Sequence, residues 1–436
     1  MSSLAVILIV FVIIVIAMLV RVPVAFAFGF GSIIMLLWLD MDLDWVIPLT
    51  YSVLLSFPLL AIPLFSFLGI TMEYAGIGKR LIDFVNVLVG RLRGGLGVVT
   101  VVSCGIFGAI SGSAASAIYA IGTLMLRRLE EEGYPLGYAT GLIACSAMLA
   151  LFIPPSMDMI IFGFIGRISI AACFLATAGP GILLIIFYSI INIIMSRKFP
   201  LRMLPKVSTG QMAKELAHTG KQSFLVFLMP IIILGGIYGG LFTPTEAAGV
   251  AAAVAIVVGF IYRGLTFTKL ARATMSTAII TGAIMTVGFF MLIASRILVW
   301  EYVANILVEV FLGVSENVVI QLLMIDLLLI FIGMIMDDTS ATILCAILLL
   351  PVTDVLGVNP YHVAGLVMAN LGLGLVTPPV APLLYMAGQV AGNIPISKYL
   401  GYAVPFMLFG NLPVILIVTL VPEVSTFLPK LVLGVG

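Results

Sequence analysis

The sequence predicts an all-α, polytopic membrane protein made of two inverted-topology repeats. Each repeat carries a re-entrant helical hairpin and a broken transmembrane helix. Three observations lead there. First, 63% of the 436 residues are hydrophobic and only 9% are charged, against about 25% charged in soluble domains. Second, apolar runs of roughly 20 residues recur between short polar stretches. Third, two apolar stretches are interrupted in the same way: Ser111-Gly112-Ser113 followed by Pro154-Pro155, and Met336-Asp337-Asp338 followed by Pro378-Pro379. A β-barrel would instead alternate over segments of about ten residues.

In chain order, a first helix is expected over 4–20, with Arg21 and Pro23 at its end, and a second over 22–39. The first segment lacks a basic region before its apolar run, so it reads as a retained helix and not a cleaved signal. After Asp40, Asp42 and Asp44, a third segment interrupted by Pro58 and Pro63 runs to Ala75. The stretch 79–93 carries Lys79, Arg80, Asp83, Arg91 and Arg93 and reads as a helix lying at the interface. The first interrupted stretch follows, then a helix over 168–195 and a polar linker over 197–221 with Arg197, Lys198, Arg202, Lys206, Lys214 and Lys221.

The second half repeats the plan. Helices are expected over 223–242, 246–262 and 275–297, an interfacial piece over 299–313, the second interrupted stretch, and a last helix over 400–421. Gly108 to Pro154 spans 46 positions and Gly333 to Pro378 spans 45, and Pro23 has a counterpart in Pro244. A fixed internal correspondence of this kind marks a repeat. The predicted division is 1–95 for scaffold helices and arm, 96–196 for the hairpin and broken helix, and 197–222 for a cytoplasmic linker. The second repeat has 223–313 for scaffold and arm, and 314–436 for hairpin, broken helix and last helix.

Lys and Arg concentrate on the cytoplasmic side of short loops. Placing the N-terminus outside puts Arg21, the 79–93 segment, Arg127-Arg128, the linker, the 263–272 patch and Lys398 inside, and only Arg167, Arg296 and Lys430 outside. This works only if 96–127 enters and leaves through the cytoplasmic face. Its partner, 316–354, is flanked by Glu316 and Asp354 and enters from outside. Broken helices from inverted repeats that meet near the midplane are the mark of a secondary transporter.

The breaks carry the chemistry. Non-helical backbone at membrane depth is tolerated only where it is buried or lines a cavity. Its carbonyls, with neighbouring hydroxyls, suit a hard cation such as Na⁺, and half-helix N-termini suit a carboxylate. Structural readings stand beside these. The small-residue cluster also suits a close helix crossing, the Pro-Pro pairs suit kinks, and Asp158, Asp337 or Asp338 suits a cap. An intramembrane acid is a functional candidate by default. Asp326 is either lumen-facing or an inter-helix contact, and Arg167 and Arg296 either anchor the surface or bind an anion or partner.

An enzyme is not expected. Ser111-Gly112 is one residue out of register for the Gly-x-Ser-Gly of a rhomboid-like protease, and the histidines are His218 and His362. There is no nucleotide-binding loop. Cys104, Cys145, Cys173 and Cys345 have no metal spacing, and a net charge of +1 gives no reason to expect nucleic acid.

The motifs GAISGSAASAIYAIG and LFIPPSMDMIIFG, with GMIMDDTSATILCAILLLP and GLVTPPVAPLLY, resemble the large membrane (M) subunit of TRAP (tripartite ATP-independent periplasmic) transporters over nearly the whole chain. The resemblance implies an elevator-type transporter in a bacterial or archaeal inner (cytoplasmic) membrane, embedded in lipid. It implies Na⁺-coupled uptake of an organic acid such as a C4-dicarboxylate, sialic acid, a keto acid or a sugar acid. It implies a separate small four-helix membrane subunit and a periplasmic substrate-binding protein as partners. No cofactor beyond Na⁺ and no transition metal is implied. Carried over residue by residue, a first cation site takes Ser111, Gly112, Ser113, Pro154, Pro155 and Ser156. A second takes Gly333, Asp337, Asp338, Thr339, Gly374, Thr377 and Val380, several through backbone carbonyls. Ser116, Ser340, Pro378 and Pro379 are candidates for substrate contact. The paired Asp337-Asp338 departs from the single Asp usual at this tip. The nearest alternative is a stand-alone Na⁺- or H⁺-coupled carrier of the divalent-anion/sodium symporter type, whose hairpin tips tend to read Ser-Asn-Thr.

Overall fold

The computed structural model describes residues 3–20, 22–202 and 208–435. Arg21 and Lys206, both used in the charge reading, lie outside the described residues. Among these, eight helices are long and apolar enough to cross a membrane, and Leu136–Phe152 with Met157–Ile165 adds a span bent by 42°. Large apolar side chains such as Leu37, Ile47, Leu327 and Phe409 face outward. That is the expected finish for a surface solvated by lipid tails, which are as apolar as Leu.

Two groups of helices can be followed through their packing, and they meet where Phe267–Trp300 packs on Asp338–Val355. In the scaffold, Val24–Trp38 packs against Phe267–Trp300, and Pro244–Ile261 packs against Ala61–Tyr74 in the corresponding way. Two of these helices, Ala61–Tyr74 and Phe267–Trp300, one from each pair, also pack on each other. In the second body, Gly95–Ser111 packs on Leu136–Ala147 and Ile170–Ser196, while Val318–Ile335 packs on Pro360–Leu375. The broken helices themselves cross where Gly372 lies against Met148 and Phe152.

Both ends of the first hairpin return to one place. Arg93 donates to the Arg197 carbonyl (3.4 Å), and the Arg202 amide donates to the Glu132 carbonyl (2.8 Å). Ile77–Val89 lies across this base, burying Leu81, Ile82 and Val85. Its polar face is tied down by Asp83 to Arg128 (2.8 Å) and by Arg80 stacked over Tyr262 (3.9 Å). Arg91 pairs with Glu215 on the helix that follows the linker. A half-buried Arg–carboxylate pair holds better than a surface one, which is worth about 0–1 kcal/mol.

Element limits depart from expectation in three places. The second part of the linker is not separate from the helix expected at 223–242: one helix runs from Thr209 to Tyr238. Ser208 caps it, accepting from the Gln211 amide, and no proline intervenes before Pro230. The helix expected at 275–297 runs from Phe267 to Trp300, started by Thr266 as N-cap. A terminal helix, Glu423–Leu433, was not expected. It packs on Ile170–Ser196 and seats Ser425 against Gly365.

Buried polar groups join the second body internally. Asp326 accepts from Asn370 (2.7 Å) and Thr419 (2.7 Å), so of its two readings the inter-helix contact is the one found. Asn192 donates to the Gly94 carbonyl (2.8 Å) and accepts from Tyr138 (2.9 Å). All four cysteines are buried and unpaired.

Candidate functional site

The first hairpin turns because Gly112 adopts a left-handed conformation (φ 59°) and Ser113 an extended one. The Ser113 hydroxyl then caps the return helix, accepting from the Ser116 amide (3.4 Å). A left-handed residue is cheap only for glycine. Here space also decides, since a Cβ on Gly112 would fall 2.5 Å from the Pro155 carbonyl oxygen. The hairpin tip therefore sits on the first break, and the Met157 amide donates back to the Gly112 carbonyl (3.4 Å).

At the break, Pro154 and Pro155 have no N–H to offer the carbonyls of Ala150 and Leu151, their partners in a continuous helix. Ser111 and Ser156 are both buried, and the Ser156 hydroxyl has no hydrogen-bond partner. The break thus holds a buried hydroxyl without a hydrogen-bond partner, and hydroxyl and carbonyl oxygens are the ligand types a hard cation takes. The structure brings Ser111, Gly112, Ser113, Pro154, Pro155 and Ser156 together, while Ser116 contributes its amide to the cap.

The second tip is built differently. Val318–Ile335 ends at extended Met336, and Asp337 caps Asp338–Val355. One Asp337 oxygen accepts from the Ser340 hydroxyl (2.6 Å) and the other from its amide (3.2 Å). Asp337 is therefore a cap, and the buried Ser340 hydroxyl is committed to it. Asp338 accepts from the Thr339 amide (3.0 Å) through one oxygen. Gly333 and Gly374 touch backbone to backbone: a Cβ on Gly374 would fall 2.3 Å from the Gly333 carbonyl carbon. The Val380 amide donates to the Met334 carbonyl (3.3 Å), which mirrors the Met157 to Gly112 bond. Thr377 donates to the Leu373 carbonyl (2.7 Å), leaving its lone pairs available. Pro378 and Pro379 are half-buried and exposed. Both Pro-Pro bonds are cis.

Asp337→Ala removes this cap. We expect a loss of about 1 kcal/mol, read as a lower Tm of the purified chain, with Asp337→Ser recovering most of it. Equal Tm values for all three proteins would remove the cap assignment.

One residue stands out that sequence reasoning treated only as a possible cap. Asp158 lies on Met157–Ile165, is 2% exposed, and has one carboxylate oxygen without a partner. Its helix packs on Asp338–Val355 of the other repeat, the helix that begins at the second hairpin tip. The signal in the sequence was an acid two residues past a Pro-Pro-Ser break. Nothing there showed that it would face the opposite hairpin. Among the described residues no group of three His, Cys, Asp or Glu side chains is arranged as metal ligands.

Known proteins resemble this chain over most of its length. The model of the DctM component of tripartite ATP-independent periplasmic transporters matches residues 11–424. The sialic acid TRAP transporter large permease protein SiaM of Vibrio cholerae is 34% identical over 386 residues, covering 87% of this chain and 88% of that protein. The C4-dicarboxylate large permease DctM of Pseudomonas aeruginosa is 31% identical, covering 86% of each chain. The isethionate permease DctMQ of Oleidesulfovibrio alaskensis is 31% identical over 88% of this chain and 60% of its own length. In fold, the chain is similar to the YdaH transporter of Alcanivorax borkumensis, with a TM-score of 0.60 at 13% identity over 89% of this chain and 90% of that one.

Proposed function

This chain belongs to the DctM component family of tripartite ATP-independent periplasmic transporters, as a large permease, and from that premise we propose that it couples Na⁺ entry to uptake of an organic acid. The observation that carries the reading is the matched pair of sites. In each repeat a hairpin tip rests on the proline break of a broken helix, and a break amide returns to a hairpin carbonyl. The first pocket offers an unmatched hydroxyl at Ser156, and the second offers Thr377 beside the tip of Asp338 and Thr339.

In this reading a cation at each tip holds hairpin and break together, and the substrate sits between the two tips near the crossing of the broken helices. Ser111, Gly112, Ser113 and Pro154–Ser156 serve the first cation. Gly333, Asp338, Thr339, Gly374, Thr377 and Val380 serve the second, with Asp337 shaping the tip as its cap. The body that carries both hairpins then moves as a unit against the scaffold, as in an elevator. The cavities between the hairpins and the scaffold helices support that movement.

The relatives named for sialic acid, C4-dicarboxylate and isethionate carry anionic substrates in common, which supports an organic acid here. The word "tripartite" in the family description and "large" in the relatives' names support two partners. These are a small membrane subunit and a periplasmic binding protein that delivers the substrate. The setting is a multi-pass position in the cytoplasmic membrane.

The test is uptake in proteoliposomes holding the chain with its small subunit and binding protein. We expect an inward Na⁺ gradient to drive uptake of an organic acid from a panel including succinate and N-acetylneuraminate. Uptake sustained by a proton gradient alone would sink the Na⁺ coupling. Uptake undiminished without the binding protein would favour the stand-alone carrier.

A further inference from the structure

Two arginines remain that neither hairpin site uses. Arg167 ends the turn after Met157–Ile165, on the hairpin body, with φ 54°. Arg296 lies on Phe267–Trp300 of the scaffold, one helical turn before Trp300. Both are exposed, and among the described residues neither takes part in an ion pair. The two line the same pair of adjoining cavities, of about 410 Å³ and about 660 Å³, which share Ile165, Val299 and Ile347 as walls. Asp354 lines the larger one and is not paired with either arginine.

These cavities lead inward. The 410 Å³ cavity shares Val53, Phe164, Ile165 and Leu292 with a narrow one of about 30 Å³ that reaches Thr339 and Ile343 of the second hairpin. A cleft thus runs between scaffold and hairpin body, with two cations at its mouth and the second tip at its end. Two cations against the single acid Asp354 leave the mouth of this cleft net positive, and a positive cleft draws anions. Guanidinium groups suit the planar two-oxygen face of a carboxylate and the oxygens of a sulfonate. Arg296 is held in place by stacking over Trp300 (4.9 Å), and Trp300 packs edge-on against Trp45 (4.6 Å). Such bracing limits the side-chain freedom that would be lost when an anion binds.

We propose that Arg167 and Arg296 form an anion-capturing vestibule, distinct from the two hairpin sites, that takes the carboxylate or sulfonate group of a small organic anion. One charge comes from each body, so the vestibule is complete only when hairpin body and scaffold stand in the present arrangement. Position in a cleft between packed helices and continuity with the second tip favour a small anion over an acidic protein surface. The proposal rests on reading the chain as a carrier of organic acids.

The test uses the full chain in lipid nanodiscs and the fluorescence of Trp300, which lies beneath Arg296. Succinate, N-acetylneuraminate and isethionate are titrated at constant ionic strength, with glucose as the neutral control. We expect a saturable change with at least one of the anions and none with glucose. Arg167→Gln leaves the Arg296–Trp300 stack in place and should weaken that anion at least tenfold, and Arg167→Lys should recover part of the loss. The absence of a saturable response to all three anions overturns the proposal. So does a response that Arg167→Gln leaves unchanged, and so does an effect of Arg167→Gln confined to capture of the binding protein. The two readings fail separately. Anion binding without Na⁺-driven uptake would sink the transport reading and leave the vestibule standing. Na⁺-driven uptake with an unchanged KM in the Arg167→Gln, Arg296→Gln double variant would do the reverse.

Discussion

Gly374→Ala should cost about 1–3 kcal/mol of stability, and with it about tenfold or more of Na⁺-driven uptake. The added methyl group falls 2.3 to 2.6 Å from three backbone atoms of Gly333, and no side chain is available there to rotate aside. The second hairpin has to lift off its break, which strains the Val380 to Met334 bond and opens the pocket around Thr377. Gly282→Ala is the control. On Phe267–Trp300, a Cβ at Gly282 meets nothing within 4 Å, so the change should be neutral or stabilising by up to about 1 kcal/mol. Uptake and Tm of the two variants, measured together, decide the matter. If Gly374→Ala behaves like Gly282→Ala, the close approach of hairpin and break is not needed.

Asp158→Asn should raise the Tm in Na⁺-free buffer and at the same time lower uptake. The wild-type carboxyl group is buried, has an oxygen without a partner, and lies on a helix packed against Asp338–Val355 of the second hairpin. An unmatched buried polar group costs about 1–3 kcal/mol, and more when charged, so neutralising it relieves the fold. An acid kept at membrane depth at that cost is expected to serve transport. We expect uptake to fall at least tenfold, roughly the effect of 1.4 kcal/mol. A lower Tm with unchanged uptake would make Asp158 a structural group.

Much of this was legible in the sequence because it rests on residues with few conformational options. Proline lacks an N–H, so Pro154-Pro155 and Pro378-Pro379 had to break helices wherever the fold placed them. The fixed spacing from Gly108 and Gly333 then made the breaks a pair, and the basic flanks of the first hairpin marked it as one that returns to its own face. Less legible was anything that depends on which side of a helix meets which neighbour. Asp158 and Asp326 are both acids in apolar helices, and the sequence treats them alike. One satisfies both oxygens across a helix junction through Asn370 and Thr419, and the other keeps a buried oxygen without a partner. Asp337 and Asp338 were equivalent in sequence as well. Only the direction of the turn at Met336 decides that Asp337 becomes the cap and Asp338 the first helical residue. Tertiary partners also set the limits of Thr209–Tyr238, since its polar first turns are held by Arg91 and by the base of the first hairpin.

The central claim is that each hairpin tip and its break together hold one cation. Na⁺-induced thermal stabilisation of the purified chain tests it most directly, with K⁺ at equal ionic strength as reference. Ligand that binds only the folded state raises stability with its concentration, by about 2.7 kcal/mol at a hundred times its Kd. The account predicts a Na⁺-specific rise in Tm that Ser156→Ala and Thr377→Ala each reduce, and that the double variant loses. A double variant with the same Na⁺-dependent rise as the wild type would contradict it.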